Sequence, residues 1–429
     1  MKIRFTLVAV VCLLVTNAFG QTELVNELNN KITEITSITP DGNFDDLKSL
    51  KGILSNKKII GLGEATHGTR EFFTFKHRMM KYLVENENFK VFIIEGDFAG
   101  AQAMNDYVIY GKGTSRDGFI GVGYGVWCRQ AFVDFVEWIK EYNQDKLLED
   151  KVKFYGCDIN NEKFAAKNIK TYLANGNKLN ESLSNELNII IQGELRKKLS
   201  ETNTDYKEQL FSALEDAFNS LKDEESREKT FIEHCKRELE QKIEIILSDR
   251  SRSIVLRDKF MAENIEWIYQ YENMQKSVFW AHNEHIKIDN ANSNFKPTGY
   301  YLKEKFADSY YSFGLAFNNG EVGGFNRKKK KYDSFKVPSK SPKKLCDAVF
   351  SQCIYPNFVL DFTSVNSNDV ISEFLNTNLY QRTIGAGFYP DGKTRNHFRW
   401  AKLIDKYDGL IFIKETNPAR QIKETTYNK

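Results

Sequence analysis

Short apolar runs alternate with amphipathic segments in the first part of the chain. Residues 58–62, 91–94 and 152–156 are largely apolar and contain β-branched or aromatic side chains, which predicts strands buried on both faces. Between them, residues 72–85 and 131–142 place apolar side chains at helical spacing. This alternation predicts an α/β fold with a mostly parallel central sheet flanked by helices.

The pattern changes between about residues 180 and 272, where charge rises, glycine becomes rare and helical periodicity dominates. One apolar stripe runs through Phe211, Leu214, Phe218 and Leu221, with the spacing of an amphipathic helix. We interpret this region as a helical insertion that packs over the sheet. A coiled coil is the alternative interpretation, but no heptad seam persists for several repeats.

Strand-like runs return in the last part of the chain, at residues 277–281, 310–317, 358–362, 382–385 and 410–413. The intervening residues 318–342 are loop-rich, which predicts an arm or a mobile lid. The only dense basic run, residues 327–331, lies inside this segment. We interpret it as a solvent-exposed loop and not as a binding site.

The first residues have the pattern of a signal peptide. Lys2 and Arg4 precede an apolar run over residues 5–15, and Ala18 and Gly20 supply the small residues that a signal peptidase needs. The apolar run is too short to span a bilayer comfortably. We therefore expect residues 1–20 to be removed and residues 21–429 to form an exported domain, periplasmic or secreted.

The charge balance limits the class of partner. The chain has 61 Lys and Arg residues against 58 Asp and Glu residues, so it has no strong electrostatic attraction to nucleic acid or to a membrane surface. We predict a small-molecule substrate, no nucleic-acid partner and no membrane association after signal cleavage. The sequence sets no oligomeric state.

The cysteines are too sparse to form a disulfide scaffold. After signal cleavage they are Cys128, Cys157, Cys235, Cys346 and Cys353. Cys346 and Cys353 are close enough in sequence for one bridge, which export would permit.

Acids and histidines follow directly on four predicted strands: Glu64 and His67, Glu95, Asp158, and His282 with His285. In a parallel α/β sheet, ligands bind beyond the carboxyl ends of the strands. Three of the six histidines in the chain therefore fall where a ligand is expected. The pattern predicts an active site that works by general acid–base chemistry.

Glu64 and His67 suit a base and the carboxylate that orients it, because a carboxylate fixes the tautomer of an imidazole and raises its basicity. A buried histidine that caps the next helix is the structural alternative. Glu95 must be paired or solvated, and Arg257 or a histidine would pair it, while capping of the next segment is its alternative role. Asp97 and Asp158 fit the role of a helix cap as well as that of a ligand, and for Asp158 we favour the cap.

Other templates are absent or weak. There is no Gly-x-Ser-x-Gly elbow, which disfavours a serine α/β-hydrolase, and no His-Glu-x-x-His motif. Residues 121–125 are glycine-rich but lack a preceding strand and a phosphate-binding lysine. A zinc or manganese site stays open as a chemical alternative, with ligands from Glu64, His67, Glu95, His282 and His285.

Several motifs together resemble the erythromycin esterase family. They are Gly63-Glu64-Ala65-Thr66-His67 with Glu71-Phe72, the run from Phe89 to Glu95, Arg257-Asp258, Ala281-His282-Asn283-Glu284-His285, Arg382-Thr383-Ile384-Gly385 and Tyr407-Asp408. Their order and spacing agree with the family from about Lys58 to the end of the chain. The resemblance implies an α/β core with helical additions and hydrolysis of the lactone ester of macrolide antibiotics.

The resemblance also implies roles for individual residues. His67 matches the histidine that activates water, and Glu64, Glu95, Arg257, His282 and His285 match polar residues that line the same cleft. Lys76 stands where many members have arginine, so the charge is kept but the bidentate fork is lost. On this basis Lys76 is expected to bind substrate.

The mechanism implied by the resemblance has no covalent enzyme intermediate. His67, oriented by Glu64, takes a proton from the attacking water, and Arg257 with His282 or His285 stabilises the oxyanion. We expect no cofactor and no metal, since Arg257 would oppose a cation. The alternatives are another ester or lactone substrate, a metal-dependent hydrolase, and a protein that sequesters its ligand without turnover.

Overall fold

The computed structural model describes residues 21–123, 125–202, 204–221, 226–289, 295–326, 328–337, 342–388 and 397–422. The predicted signal peptide, residues 1–20, lies outside the described residues. No helix in the described ranges is long and apolar enough to cross a membrane.

The strands, numbered in chain order, are β1 Thr33–Glu34, β2 Ile59–Leu62, β3 Val91–Asp97, β4 Lys153–Asp158, β5 Ser277–Trp280, β6 Tyr310–Asn326, β7 Lys331–Lys336, β8 Asn357–Asp361, β9 Leu379–Arg382, β10 Gly387–Phe388, β11 Phe398–Ala401 and β12 Gly409–Thr416. Residues 21–31 form helix α1. The other α-helices are α2 Lys51–Leu54, α3 Arg70–Glu87, α4 Gln102–Tyr110, α5 Ser115–Gly121, α6 Gln130–Asn143, α7 Glu162–Asn175, α8 Glu181–Gln192, α9 Leu195–Thr202, α10 Thr204–Asn219, α11 Arg227–Leu247, α12 Arg250–Tyr271, α13 Asn283–Ile286, α14 Thr298–Phe306, α15 Cys346–Phe350 and α16 Val370–Leu375.

One large sheet organises the chain. Its strands follow the order β1-β8-β12-β6-β2-β5-β3-β4, and β7 and β10 also pair with β6. The pairs from β12 through β4 are all parallel, while β8 and β1 are antiparallel additions at one edge. The predicted α/β class with a mostly parallel sheet is therefore confirmed.

The central strands are buried because both faces of the sheet are covered. Every residue of β2, β4 and β5 is buried. On one face the apolar side chains of α3 and α6 pack, including Phe72 and Phe132, and on the other those of α7 to α12, including Leu239 and Ile265. Continuous apolar runs are the pattern expected of such strands.

In the described part of residues 181–271, the region interpreted as a helical insertion, the chain forms the five helices α8 to α12. The last of them, α12, runs back toward the sheet and packs near β4 and α14. This position matters for the site, because α12 contains Arg257 and Asp258.

In its described part the loop-rich segment, residues 318–342, is an arm, one of the two forms expected of it, and this arm is a β-hairpin. Strand β6 continues to Asn326 and pairs antiparallel with β7. The sequence did not predict the strands within this arm, because glycine and asparagine favour turns, although Val322 and Phe335 point inward and are buried. Phe335 stacks on Phe388, with 4.2 Å between ring centroids, and this contact anchors the arm.

The structure settles whether Cys346 and Cys353 are bridged, a question that the sequence left open, and it moves one expected strand. Cys346 and Cys353 are both free thiols, so the bridge between them is absent; Cys346 lies at the first position of α15 with its Sγ 3.9 Å from Asp347 Oδ2. The strand expected at residues 382–385 lies slightly earlier, at Leu379–Arg382, because it pairs with β11 and not with the main sheet.

Gly63 offers a test of how β2 is joined to α13. A Cβ at this position would lie 2.1 Å from Asn283 Oδ1 and 3.1 Å from the Phe313 carbonyl oxygen. We expect Gly63→Ala to lower the free energy of unfolding by about 1–3 kcal/mol through overpacking. Gly385→Ala is the matched control, since a Cβ there meets nothing within 4 Å. Equal urea midpoints for the two variants would contradict this account.

Candidate active site

The loop that follows β2 is fixed by backbone hydrogen bonds at successive residues. The Gly63 N–H donates to the Phe313 carbonyl at 2.9 Å, and the Glu64 carbonyl accepts from the Asn283 N–H at 2.9 Å. The Gly68 carbonyl then accepts from Gly323 at 3.0 Å and from Ala419 at 2.8 Å. Because the loop is held from several sides, the side chains of Glu64 and His67 have defined positions.

Glu64 is a fully buried carboxylate with three side-chain donors. Its Oε1 lies 2.5 Å from His67 Nδ1, and its Oε2 accepts from Lys76 Nζ at 2.7 Å and from Trp280 Nε1 at 2.9 Å. Burial would raise the pKa of this carboxyl, but Lys76 and His67 outweigh it and lower the pKa to about 2. Glu64 is therefore a permanent anion at neutral pH.

Lys76, which was expected to bind substrate, has no exposed surface. Its ammonium group lies between Glu64 and the face of Trp280, 4.2 Å from the ring centroid. Burial lowers the pKa of Lys76 to about 8, even though Glu64 acts in the opposite direction. In this structure Lys76 is a buried counter-charge of Glu64 and has no surface through which it could contact a substrate.

His67 lies at the surface of the cleft with its two nitrogens in different environments. Nδ1 faces Glu64, so in the neutral ring Nδ1 carries the proton and Nε2 has the lone pair. Nε2 has no hydrogen-bond partner among the described residues. This is the arrangement that a general base requires.

His282 lies against His67, with 5.1 Å between the ring centroids. It caps α13, and its Nδ1 accepts from the Glu284 N–H at 3.2 Å. Burial and the nearby His67 lower the pKa of His282 to about 4, so the ring is neutral. An accepting Nδ1 places the proton on Nε2, which is buried and without a partner in the described part of the chain. His282 therefore presents an unused donor beside His67.

Glu95 and Arg257 come together as expected, and Asp158 joins them. Arg257 donates to Asp158 through Nε at 2.9 Å and Nη2 at 2.6 Å, and Nη2 also reaches Glu95 Oε1 at 3.0 Å. The interpretation of Asp158 as a helix cap was incomplete, because its main partner is this guanidinium. Burial would lower the pKa of Arg257, but the two carboxylates raise it well above its usual range.

His285 lies between two carboxylates. Nδ1 is 2.8 Å from Asp258 Oδ1, and Nε2 is 3.2 Å from Glu95 Oε1. Burial would lower the pKa of His285, but these carboxylates raise it to about 10. Nε2 also lies 3.2 Å from Arg257 Nη1, a contact between two donors when the ring is protonated, and the flanking carboxylates favour that form.

His282 connects the group around Glu64 and His67 with the group around Glu95, Arg257 and His285. Its backbone N–H donates to Glu95 Oε2 at 2.9 Å, while its ring faces His67. The sequence-predicted residues thus form one connected cluster of side chains, with Lys76 and Glu64 at its buried end. The sequence missed Asp258 and Trp280, although Asp258 directly follows Arg257 and Trp280 ends the strand before His282.

No three His, Cys, Asp or Glu side chains in the described ranges are placed to hold a metal ion together. The oxygens of Glu64 are occupied by Lys76, Trp280 and His67, and Glu95 is occupied by Arg257 and its neighbours. These contacts explain why the carboxylates do not converge on one empty position.

Comparison with known proteins identifies relatives of the chain. The profile of the family described as erythromycin esterase matches residues 84–416. Glu64, His67 and Lys76 precede this range, and the other predicted site residues lie within it. Erythromycin esterase type II from Escherichia coli is 26% identical over 321 residues, which cover 66% of this chain and 74% of that protein.

A second relative covers more of the chain. Putative hydrolase YbfO from Bacillus subtilis (strain 168) is 25% identical over 421 residues, 88% of each protein. Among solved structures, a mutant of the erythromycin esterase EreC in its open conformation matches with a TM-score of 0.66 at 15% identity, covering 92% of this chain and 99% of that one. At this identity the likeness concerns the fold alone.

Removal of Lys76 should expose the cost of burying Glu64 without a counter-charge. We expect Lys76→Met to lower the free energy of unfolding by about 3–5 kcal/mol. The double variant, Glu64→Gln with Lys76→Met, should lose less stability than the sum of the losses in the two single variants. Lys48→Met is the control, because its pair with Asp45 is exposed at 2.7 Å and contributes about 0–1 kcal/mol. Similar losses of unfolding free energy in Lys76→Met and Lys48→Met, measured by urea unfolding, would refute the role of Lys76 as the counter-charge of Glu64.

His285 should make stability depend on pH. Its folded pKa of about 10 exceeds the unfolded value of about 6.5, so its contribution is full below about pH 6.5 and is lost as the pH rises through 10. In that window the stability gap between the native protein and His285→Gln should shrink by up to about 1.4 kcal/mol per pH unit.

Urea unfolding at several pH values measures this gap. His234→Gln is the matched control, since burial lowers the pKa of His234 to about 4 and its gap should stay flat over the same window. A constant gap for His285→Gln as well would show that the ring is not held protonated.

Proposed function

This chain belongs to the erythromycin esterase family, and on that premise we propose that it hydrolyses the macrolactone ester of macrolide antibiotics with water activated by His67. Family membership indicates an esterase-type hydrolase; the macrolide substrate is the proposed step. The observation that carries the proposal is the state of His67, whose Nδ1 is held by Glu64 while Nε2 faces the cleft without a partner in the described chain.

The proposed reaction starts when His67 Nε2 takes a proton from a water molecule as its oxygen attacks the ester carbonyl carbon. The carbonyl electrons move onto oxygen and form a tetrahedral oxyanion. When this intermediate collapses, the bond to the alkoxy oxygen breaks, and protonated His67 returns its proton to that oxygen. The products are a carboxylic acid, which ionises in water, and an alcohol, joined in one opened ring.

His282 suits the oxyanion better than Arg257 or His285 does. Its Nε2–H is unpartnered and lies on the ring next to His67, whereas Arg257 and His285 donate to carboxylates. Because Nε2 is buried in this structure, substrate binding must open this position before the donor can stabilise the developing charge. In this proposal, Arg257 and His285 hold Glu95, and Glu95 in turn holds the backbone of His282.

The proposal also includes export and a role in macrolide resistance. The basic and apolar start of the sequence supports export through a signal peptide. An exported enzyme would open the antibiotic before it enters the cytoplasm.

Mass spectrometry tests the activity directly. The purified protein should convert macrolides of two lactone ring sizes to products heavier by one water, and His67→Asn should slow this by about 10²–10⁴-fold with unchanged circular dichroism. His234→Gln is a control change at a histidine that contacts Asn264 and lies outside the cleft. Turnover should persist after chelation of divalent metals.

Three results would count against the proposal. Near-native rates of macrolide hydrolysis by His67→Asn would show that His67 is not the general base. Loss of turnover on chelation, restored by zinc or manganese, would favour the metal-dependent alternative. Hydrolysis of other esters, with every macrolide recovered unchanged, would keep the mechanism but change the substrate.

A further inference from the structure

A second pocket lies behind the loop that carries His67. It has a volume of about 390 Å³ and lies between the hairpin arm, the C-terminal segment and the start of α6. Gly323 and Ala419, which line it, are the two residues whose N–H groups hold the Gly68 carbonyl at 3.0 and 2.8 Å. The pocket wall is therefore attached directly to the residue that follows His67.

Arg129 lines this pocket with a cationic side chain and is only 2% exposed. Its Nη1 donates to the carbonyl oxygens of Cys128 at 3.1 Å and Gly125 at 3.4 Å, and the guanidinium stacks on Tyr332 with 4.6 Å to the ring centroid. Nε and Nη2 make no hydrogen bond, and the group forms no ion pair, within the described part of the chain. A buried charge without a counter-charge is costly.

The local backbone adds positive potential to that of Arg129. Arg129 is the N-cap of α6, a helix of 14 residues with no side-chain capping bond and no acidic residue in its first turn. The positive end of the helix dipole and a guanidinium thus lie together, although helix N-termini favour anions. Both features are unfavourable to the chain alone and favourable to a bound anion.

The remaining charges of the pocket leave it positive. Arg420 lines the rim and forms no ion pair among the described residues. Asp333 also lines the pocket, but its Oδ2 accepts from Lys329 at 3.0 Å and its Oδ1 from the Ser334 N–H at 3.2 Å. The pocket lining therefore carries two arginines and one carboxylate, Asp333, which is already paired with Lys329.

We propose that this pocket is an anion-binding site, in which Arg129 and Arg420 bind the oxygens of a carboxylate or phosphate group. Arginine is suited to both groups because its planar fork matches their paired oxygens. The bound anion would supply the counter-charge that Arg129 lacks and would brace the backbone that holds Gly68. This site is separate from the ester-hydrolysing cleft and does not depend on the substrate proposed above.

Isothermal titration calorimetry with inorganic phosphate and with acetate, at constant ionic strength set by sodium chloride, tests the site. We expect saturable binding of at least one anion to the full-length protein, with affinity about ten-fold weaker in Arg129→Gln and in Arg420→Gln. The anion that binds more tightly identifies the ligand class.

Arg250→Gln is the matched control, since Arg250 is an exposed arginine at the start of α12 that does not line the pocket. Its affinity should equal that of the unaltered protein. If Arg129→Gln fails to fold, Arg420→Gln decides alone, because that side chain is exposed. No saturable binding of either anion, or the same affinity in Arg420→Gln and Arg250→Gln, would overturn the proposal.

Discussion

The buried carboxylate of Glu64 is the interaction on which the site depends. It has no exposed surface, and its donors come from its own loop, from α3 and from β5. A buried anion is tolerated only when its oxygens are saturated by donors and its charge is balanced. Satisfying Glu64 therefore fixes His67, Lys76 and Trp280 relative to one another, and with them the ring that faces the cleft.

A chain of alternating charges forms the opposite wall. Asp158, Arg257, Glu95, His285 and Asp258 follow one another through contacts of 2.6–3.2 Å. Each cation touches two anions, so no member is left unpaired when another element moves slightly. This wall ends at Glu95, which holds the backbone of His282. His282 thus lies between this wall and His67, and its ring stays neutral because burial and the nearby His67 lower its pKa more than Glu284 and Glu95 raise it.

The sheet explains why these residues meet. β2, β5, β3 and β4 are parallel neighbours, so their carboxyl ends lie at one edge and present consecutive loops to the same crevice. Glu95 enters the crevice where the register between β3 and β4 shifts, between Ile94 and Asp97. The helical region supplies the remaining charges through α12, which carries Arg257 and Asp258 on adjacent positions of one turn.

The sequence by itself determined the alternation of strands and helices, the parallel order of the core, and the strand ends where Glu64, His67, Glu95, His282 and His285 appear. These follow from local periodicity and from the geometry common to parallel sheets. Local periodicity did not reveal the pairing of β6 with β7 within residues 318–342, because composition does not encode that contact between two segments.

Only the tertiary structure decided which charged side chains pair with one another. The family resemblance predicts a substrate-binding role for Lys76, yet the fold buries it against Glu64. The sequence favours a helix cap at Asp158, yet Asp158 binds Arg257. The pairing of His285 with Asp258 and the uncompensated charge of Arg129 were equally invisible. Protonation states and ion pairs depend on burial and on distances between segments far apart in sequence, and only packing sets those quantities.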